Sequence, residues 1–256
     1  MIGFFDSGLG GLSVLVPVRR LLPTADLVYL ADRTNAPYGD RTLAEVRSLS
    51  EAATLLLLER GCRQIVIPCN TASAAALGWL RSRHPGVPIV GMEPAVKPAT
   101  AVSRSGIIGV LATTATFQGE LFSSVVDRFA TDCTVLPQAC PGLADAVERG
   151  AITDRATESL VRRYVEPLLE RGADTLVLAC THYPFLSQVI RKVVGPRVAI
   201  VDPSASVARQ VERVARTGGW SEGSAGLTFL VRGDTVGVAA LVAGLTGLAV
   251  DPIGLP

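Results

Sequence analysis

No sign of charge dominates this chain, in which 24 lysines and arginines face 23 aspartates and glutamates. Such a balance offers no basic face for nucleic acid and no acidic tail, so no nucleic-acid partner is expected. Long apolar runs are also missing. The longest, such as Ala52 to Leu58, cover about half of a bilayer span, and no membrane association is expected even though 48% of the residues are hydrophobic. The N-terminus, M-I-G-F-F-D, meets a carboxylate at Asp6 before it has formed the basic or the apolar part of a signal peptide. The expectation is a cytoplasmic chain that begins at its first strand with no N-terminal extension. Cysteines are few and odd in number, five in all, which without export argues for free thiols rather than a disulfide framework. Low-complexity tracts are absent, and Thr217 to Gly226 alone is Gly/Ser-rich enough to read as a mobile loop. A length of 256 residues allows two lobes of about 100 residues each or one large α/β domain.

What is present is a repeat. Leu57 to Cys69 reads L-L-E-R-G-C-R-Q-I-V-I-P-C, and Leu168 to Cys180 reads L-L-E-R-G-A-D-T-L-V-L-A-C without a gap. In each copy a helix ends at glycine, a few polar residues turn the chain, and a short apolar strand delivers a thiol at its C-terminal end. Cys69 is followed by Asn70-Thr71 and Cys180 by Thr181-His182. Equivalent thiols from equivalent halves point to a site at the interface of two lobes, with one sulfur on each side.

The surrounding pattern alternates strand and helix. Met1 to Phe5 runs into Asp6 and the turn S-G-L-G-G, Leu12 to Leu22 has helical spacing, and Leu27 to Ala31 is a buried strand. Thr42 to Arg60 is helical, with Thr42 as N-cap, Glu45 as its capping-box partner and Gly61 as the C-terminal glycine. Strand Ile65 to Ile67, a helix opened by Asn70-Thr71, and strand Ile89-Val90 follow. The pattern restarts with strands Ile107 to Leu111 and Thr134 to Leu136, a helix from Thr153 to Arg171, and strand Leu176 to Leu178. The predicted fold class is α/β, with two pseudo-symmetric lobes, each a mostly parallel sheet flanked by helices, and the active site in the cleft between them. Glu93 to Thr100 and Asp202 to Ala205 read as the lobe crossings, giving residues 1–93 plus 206–256 for the first lobe and 94–205 for the second. The helix Val207 to Ala215 and the tail to Pro256 are expected to pack back on the first lobe.

Ligands of open α/β sheets bind outside the carboxyl ends of the strands. That rim collects Asp6, Ser7, Tyr38, Cys69, Asn70, Thr71, Thr113, Thr114, Thr116, Cys180, Thr181 and His182, a short polar set almost free of cations that suits a small molecule. Thiolates are nucleophiles and usable bases. Two of them facing each other across a substrate suit proton transfer, one removing a proton from carbon while the other delivers one to the opposite face. Each thiol is expected at a strand-to-helix junction, where N–H groups and the helix dipole favour an anion. Asp6 and His182 are the natural partners of the thiols.

Plainer readings stand beside these. A cysteine ending a buried strand is usually a small core hydrophobe, which fits Cys62, Cys133 and Cys140 and fits Cys69 and Cys180 less well. His84 reads as a solvated helix-end residue. Tyr38 is either a turn tyrosine packing its ring or a site residue, and Glu148, in A-V-E-R-G, reads on sequence grounds as an exposed helical carboxylate. D-S-G-L-G-G with Asp32 has some likeness to a dinucleotide fingerprint, but Ser13 stands where the third small residue belongs and Asp6 would oppose a pyrophosphate. A zinc site from Cys69, Cys180 and His182 is a weak alternative, because Cys-x-His lacks the usual ligand steps.

The motifs together resemble the bacterial glutamate racemases of the cofactor-independent aspartate/glutamate racemase superfamily. The matching segments are F-F-D-S-G-L-G-G-L-S-V from Phe4, A-P-Y-G from Ala36, I-P-C-N-T-A-S from Ile67, G-M-E-P-A from Gly91, V-E-R-G from Val147 and A-C-T-H-Y-P-F-L from Ala179. The resemblance implies a two-lobed protein with glutamate in the cleft, needing no pyridoxal phosphate, metal or nucleotide. It implies that Cys69 deprotonates D-glutamate and Cys180 L-glutamate, with Asp6, His182 and Glu148 tuning the thiols. Substrate contacts then fall on Asp6, Ser7, Tyr38, Gly39, Asn70, Thr71, Thr113, Thr116, Thr181 and His182. The product, D-glutamate, would feed peptidoglycan synthesis, and a homodimer is expected by analogy. Where the family often has G-T-V-x-S-x-x-Y, this chain has A-T-F-Q-G-E-L-F from Ala115 to Phe122, so that serine becomes Gly119 and tyrosine becomes Phe122. Arg33 also departs from the commoner pattern. These changes affect either side-chain selectivity or the fit of the lobes. No cation belongs to the motif set, so backbone and hydroxyl donors are expected to hold the substrate carboxylates.

Overall fold

The computed structural model describes residues 1–218 and 223–255. The first half runs β1 (Ile2–Asp6), α1 (Leu12–Leu21), β2 (Leu27–Asp32), α2 (Leu43–Glu59), β3 (Gln64–Ile67), α3 (Asn70–Arg83), β4 (Ile89–Gly91) and α4 (Val96–Val102). Next come β5 (Ile107–Ala112), α5 (Thr114–Gln118), α6 (Glu120–Phe129), β6 (Thr134–Ala139), α7 (Leu143–Glu148), α8 (Arg155–Glu170), β7 (Thr175–Ala179) and α9 (Ser187–Val194). The chain closes with β8 (Ala199–Val201), α10 (Ser204–Thr217), β9 (Leu227–Arg232), α11 (Val238–Thr246) and β10 (Pro252–Leu255).

These strands form two parallel sheets flanked by helices, ordered β10-β9-β2-β1-β3-β4 and β6-β5-β7-β8. The repeat seen in the sequence is therefore a repeat of topology, since β2-β1-β3-β4 and β6-β5-β7-β8 are the same arrangement. Helices cover both faces of each sheet, which is why the central strands are apolar without alternation and β1, β2, β3 and β7 are buried at every position. The C-terminal segment returns to the first sheet, where β9 pairs with β2 and β10 with β9.

Local chemistry sets the element ends. Thr42 and Glu45 form the expected capping box, with Glu45 N donating to Thr42 Oγ1 at 3.3 Å and Thr42 N to Glu45 Oε2 at 2.9 Å. Gly61 and Gly172, equivalent in the repeat, take φ values of +82° and +88°, a left-handed turn that explains why both copies end their helix on glycine. Cys62 packs against Gly3, where a β-carbon would lie 3.0 Å from its Sγ, and burial pushes its thiol up to about 11. It is a core residue, as expected.

Some boundaries differ from expectation. The first crossing segment is partly helical, because α4 begins at Val96. β6 continues to Ala139, past Leu136, and α10 is longer than Val207 to Ala215 at both ends. Of the loop expected to be mobile, residues 219–222 lie outside the described residues, as does Pro256 at the end of the tail. Ser224 and Gly226 are tied down, each donating a backbone N–H to Asp26 Oδ1 at 3.0 Å. Among the described residues, no helix is long and apolar enough to cross a membrane.

Candidate active site

The C-terminal rims of the two sheets face one cavity. Ser7, Tyr38, Gly39, Cys69, Asn70 and Thr71 line it from the first sheet's side, and Thr113, Glu148, Cys180, Thr181 and His182 from the second's. Asp6 and Thr116 stand behind this lining. Neither thiol is far from the solvent-free interior, with Cys69 4% and Cys180 6% exposed.

The two thiols arrive differently. Cys69 ends the β3 segment and is the N-cap of α3, its Sγ accepting from Ala72 N at 3.4 Å. Its surroundings work against ionisation: burial and then the Asp6 carboxylate push the thiol well above its ordinary range, while the Ala72 N–H pulls the other way. Cys180 ends β7, but no α-helix begins there. A 3-10 turn over Tyr183–Leu186 follows, and α9 starts only at Ser187. The expected strand-to-helix junction is thus met in full by Cys69 and replaced at Cys180 by a side chain, with His182 Nδ1 3.6 Å from its Sγ.

That imidazole belongs to a chain of contacts. His182 Nε2 lies 2.8 Å from Glu148 Oε1, which also accepts from Leu9 N at 2.6 Å. Burial opposes a charge on His182, yet its contacts with Cys180 and Glu148 outweigh burial and hold it well above the usual histidine value. Burial would likewise raise Glu148, but the hydrogen bond and charge of His182, Leu9 N–H and Arg33 bring it below the ordinary carboxylate value. The structure corrects the reading of Glu148 as an exposed helical carboxylate: its side chain is 17% exposed and faces the cavity. Sequence periodicity placed it on a helix surface, and the facing lobe, invisible to periodicity, covers that surface.

Asp6 is fully buried and joins the two sheets. Its Oδ1 accepts from Gly8 N at 3.1 Å and Ser7 Oγ at 3.2 Å, and its Oδ2 accepts from Thr181 Oγ1 at 3.0 Å. Burial leaves its carboxyl raised although the charge of His182 and these donors pull it down. Tyr38 is placed at the cavity and tied to its own side of the cleft. Its ring lines the cavity, while its hydroxyl donates to Asp32 Oδ2 at 2.6 Å. Thr71, Thr113 and Thr116 form a hydroxyl triangle, with Oγ1 separations of 2.8, 2.9 and 3.4 Å. Gly39 meets the second sheet's side closely, where a β-carbon would stand 2.8 Å from Thr113 Cβ. Asn70 Oδ1 is buried without a hydrogen-bond partner, while its Nδ2 donates to Met92 Sδ at 3.0 Å.

The weaker alternatives lose their footing. Gly8 and Gly10 of S-G-L-G-G serve approach between the two sheets' rims rather than a phosphate, a β-carbon on Gly10 lying 2.6 Å from His182 Nδ1, while Gly11 packs against Pro68 and Tyr29 of its own side. Asp32 is occupied by Tyr38, by Asn35 Nδ2 at 3.0 Å and by Arg232 at 3.4 Å. Among the described residues, no three His, Cys, Asp or Glu side chains are grouped to hold a metal. Cys140 is buried with its Sγ donating to Gln138 O at 3.3 Å, and His84 caps α3 away from the cavity. Cys140 fits the plainer reading, whereas His84 ends its helix as expected but is half-buried, with Nε2 buried and without a hydrogen-bond partner rather than solvated. Gly119 lies against α3, where a β-carbon would stand 2.8 Å from Ala74 Cβ, and Phe122 packs edge-on with Phe117. Neither lines the cavity, so Gly119 concerns the fit between the sheets' helices and Phe122 the packing of its own side.

Sequence reasoning missed Asp145, Ala144, Gly8, Ala36 and Pro37 in the lining. Asp145 was within reach, three residues before Glu148 on the same helix face. Among the described residues, no lysine or arginine lines the cavity. The arrangement places two thiols around a pocket rich in N–H and O–H donors. It can remove and return a proton on a small anionic zwitterion.

Known proteins share this architecture. The Asp/Glu/hydantoin racemase family matches residues 18–211. A glutamate racemase of Herpetosiphon aurantiacus is 52% identical over 213 residues, 83% of this chain and 84% of that protein. A glutamate racemase isoform of Bacillus anthracis superposes with a TM-score of 0.90 at 29% identity, covering 100% of this chain and 97% of that one. The Escherichia coli glutamate racemase, solved with L-glutamate and the activator UDP-MurNAc-Ala, superposes with a TM-score of 0.87 at 29% identity over 99% and 97% of the two chains. On sequence and architecture alike, this chain belongs to the Asp/Glu/hydantoin racemase family.

Proposed function

We propose that the protein interconverts L- and D-glutamate without a cofactor, using Cys69 and Cys180 as the two bases. The observation that carries this reading is the pair of buried thiols brought from equivalent strands of two sheets to one cavity. Cys180 removes the α-proton of L-glutamate and Cys69 that of D-glutamate, and in each case the other sulfur returns a proton to the opposite face.

Two physical difficulties have answers in the site. The α-proton is very weakly acidic, so developing charge must be met by fixed donors in a dry cleft. The cavity volume is about 40 Å³, room for roughly three waters, so the cleft parts to admit an amino acid and closes around it with little solvent. The second difficulty is the raised Cys69 thiol. The charged side chain that bears most on it is the Asp6 carboxylate, which opposes ionisation. The substrate's own ammonium supplies the missing positive charge, with the unpartnered Asn70 Oδ1 as its acceptor. Ser7, Thr71, Thr113 and Thr181, with the N–H groups that open α3, hold the carboxylates. Asp6, Glu148 and His182 set the proton balance of the two sulfurs.

The lobe limits at residues 93 and 205, a homodimeric assembly, a cytoplasmic setting and supply of D-glutamate to peptidoglycan belong to the same reading. It is tested by incubating the cofactor-free protein with L-glutamate in D2O, following α-deuteration by NMR and the D-isomer by circular dichroism. Deuterium uptake with loss of optical activity is expected. Cys69→Ser and Cys180→Ser should each lower turnover about 10²–10⁴-fold, the contribution of a positioned base. Because the enantiomers are equal in energy, kcat/KM must fall by the same factor in both directions. Full activity in either variant refutes the mechanism, and exchange with another amino acid but not glutamate refutes the substrate.

A further inference from the structure

Glu148 is held by more than His182. It sits at the end of α7, yet its carboxylate is gripped from the first sheet's side, by Leu9 N–H on Oε1 at 2.6 Å and by Arg33 Nε, 3.5 Å from Oε2. Arg33 follows β2, on the 3-10 turn that leads to Tyr38, and its Nη1 donates to Asp234 O at 3.1 Å. Its guanidinium is therefore fixed on the first sheet's rim, with its side chain 25% exposed. Beside the catalytic cavity lies a second opening of about 340 Å³ that shares Asp145 and Glu148 with it and is also lined by Asp234. Among the described residues, Arg33 is the one lysine or arginine lining either space.

We propose that Arg33 is a positioning residue for the racemisation, holding Glu148 ionised and turned so that Oε1 faces His182 and keeps that imidazole directed at Cys180. The proposal rests on the two-thiol reading of the site. The charged and titratable groups facing Glu148 are His182 from the β7 rim, Asp6 from β1, Tyr29 from β2, Asp145 on α7 itself, and Asp234 across the adjoining opening. His182 and Arg33 favour the carboxylate, and the acidic groups oppose it. With Arg33 removed, three carboxylates share the opening without a fixed counter-charge. Glu148 Oε2 then loses its charged partner, while Oε1 keeps Leu9 and His182.

The sign of the effect follows. A carboxylate held below its ordinary value does its work above that value and loses it as pH falls. Arg33 lowers Glu148, so its loss moves the failure to higher pH. Partly exposed pairs contribute about 0.2–1 kcal/mol, equivalent to an upward move of about half a pH unit. The experiment compares wild type with Arg33→Met, Arg33→Gln and Arg33→Lys. In the Met and Gln variants the acid limb of kcat/KM should move up by about half a unit, a loss of about threefold below the limb. The loss should be equal for both enantiomers, and the Lys variant should restore the limb.

A second readout needs no turnover. The chain has two histidines, and His84, at the end of α3, serves as the internal reference. The hydrogen-bonded His182 Nε2–H signal should vanish at higher pH in Arg33→Met and Arg33→Gln than in wild type. A limb and a His182 signal unmoved in both folded variants overturn the role of Arg33. If wild type fails to racemise glutamate, the functional reading falls, and the His182 titration still decides whether Arg33 acts on Glu148.

Discussion

Gly10→Ala separates the packing of the cleft from its chemistry. Gly10 has no backbone reason to be glycine, because its φ is not among the positive ones. Alanine there should even gain about 0.4–1 kcal/mol through the unfolded chain. What opposes it is space. The added β-carbon would meet Thr181 Oγ1 and would lie 2.6 Å from His182 Nδ1 and 2.7 Å from Cε1. These atoms belong to the opposite sheet's rim, so the clash is relieved if the cleft stays slightly open. Overpacking of this kind costs about 1–3 kcal/mol. Drawn from cleft closure, that is roughly a 5- to 150-fold loss of the closed population and of kcat/KM. Global stability should change by much less, since the relaxed open form keeps both hydrophobic cores. The assay pairs steady-state racemisation in both directions with thermal unfolding. Activity within twofold of wild type would show that the rims need not approach this closely. A loss of activity matched by a fall in folded fraction would show that the glycine serves stability alone.

Two further substitutions test separate parts of the site. Tyr38→Phe keeps the ring on the cavity but deletes the 2.6 Å hydrogen bond to the fully buried Asp32. Leaving that carboxylate short of a donor should cost about 1–3 kcal/mol, read as a lower denaturant midpoint, and unchanged stability would refute the assignment of the phenol to Asp32. Cys140→Ala should leave racemisation within about twofold, since its thiol contacts Gln138 O and does not line the cavity. A loss on the scale of the Cys69 variant would place a third thiol in the chemistry.

The architecture was legible because it is written in local patterns. Apolar runs between helices imply parallel sheets, and the L-L-E-R-G repeat implies two equivalent halves. Thr42, Glu45 and Gly61 mark a helix at both ends. Both thiols could be selected since each repeats at the same strand end. Glu148 came through the resemblance and not through local pattern, because what sets its surroundings is Leu9, Arg33 and His182, all far from it in sequence. Gly119 was ambiguous for the same reason: only the packing shows that its neighbour is Ala74 and not the cavity. Periodicity reports which face of an element is apolar, not what a polar face meets across a cleft.

The same limit explains the one respect in which the repeat misleads. Two copies of a strand ending in cysteine suggest two thiols activated alike, yet their electrostatics differ. Cys69 lies at the start of α3, fourteen residues long, and the aligned N–H groups there present a fixed partial positive charge. Cys180 stands three residues before a 3-10 turn that leads into α9, and it faces an imidazole that contacts with Cys180 and Glu148 hold well above the usual histidine value. One sulfur is served by backbone dipoles, which do not titrate, and the other by a side-chain relay, which does. An enzyme acting on two mirror-image substrates of equal energy must give equal kcat/KM in both directions at every pH. In the proposed two-thiol mechanism the titrating relay beside Cys180 therefore limits both directions together, although it touches only one of the two bases.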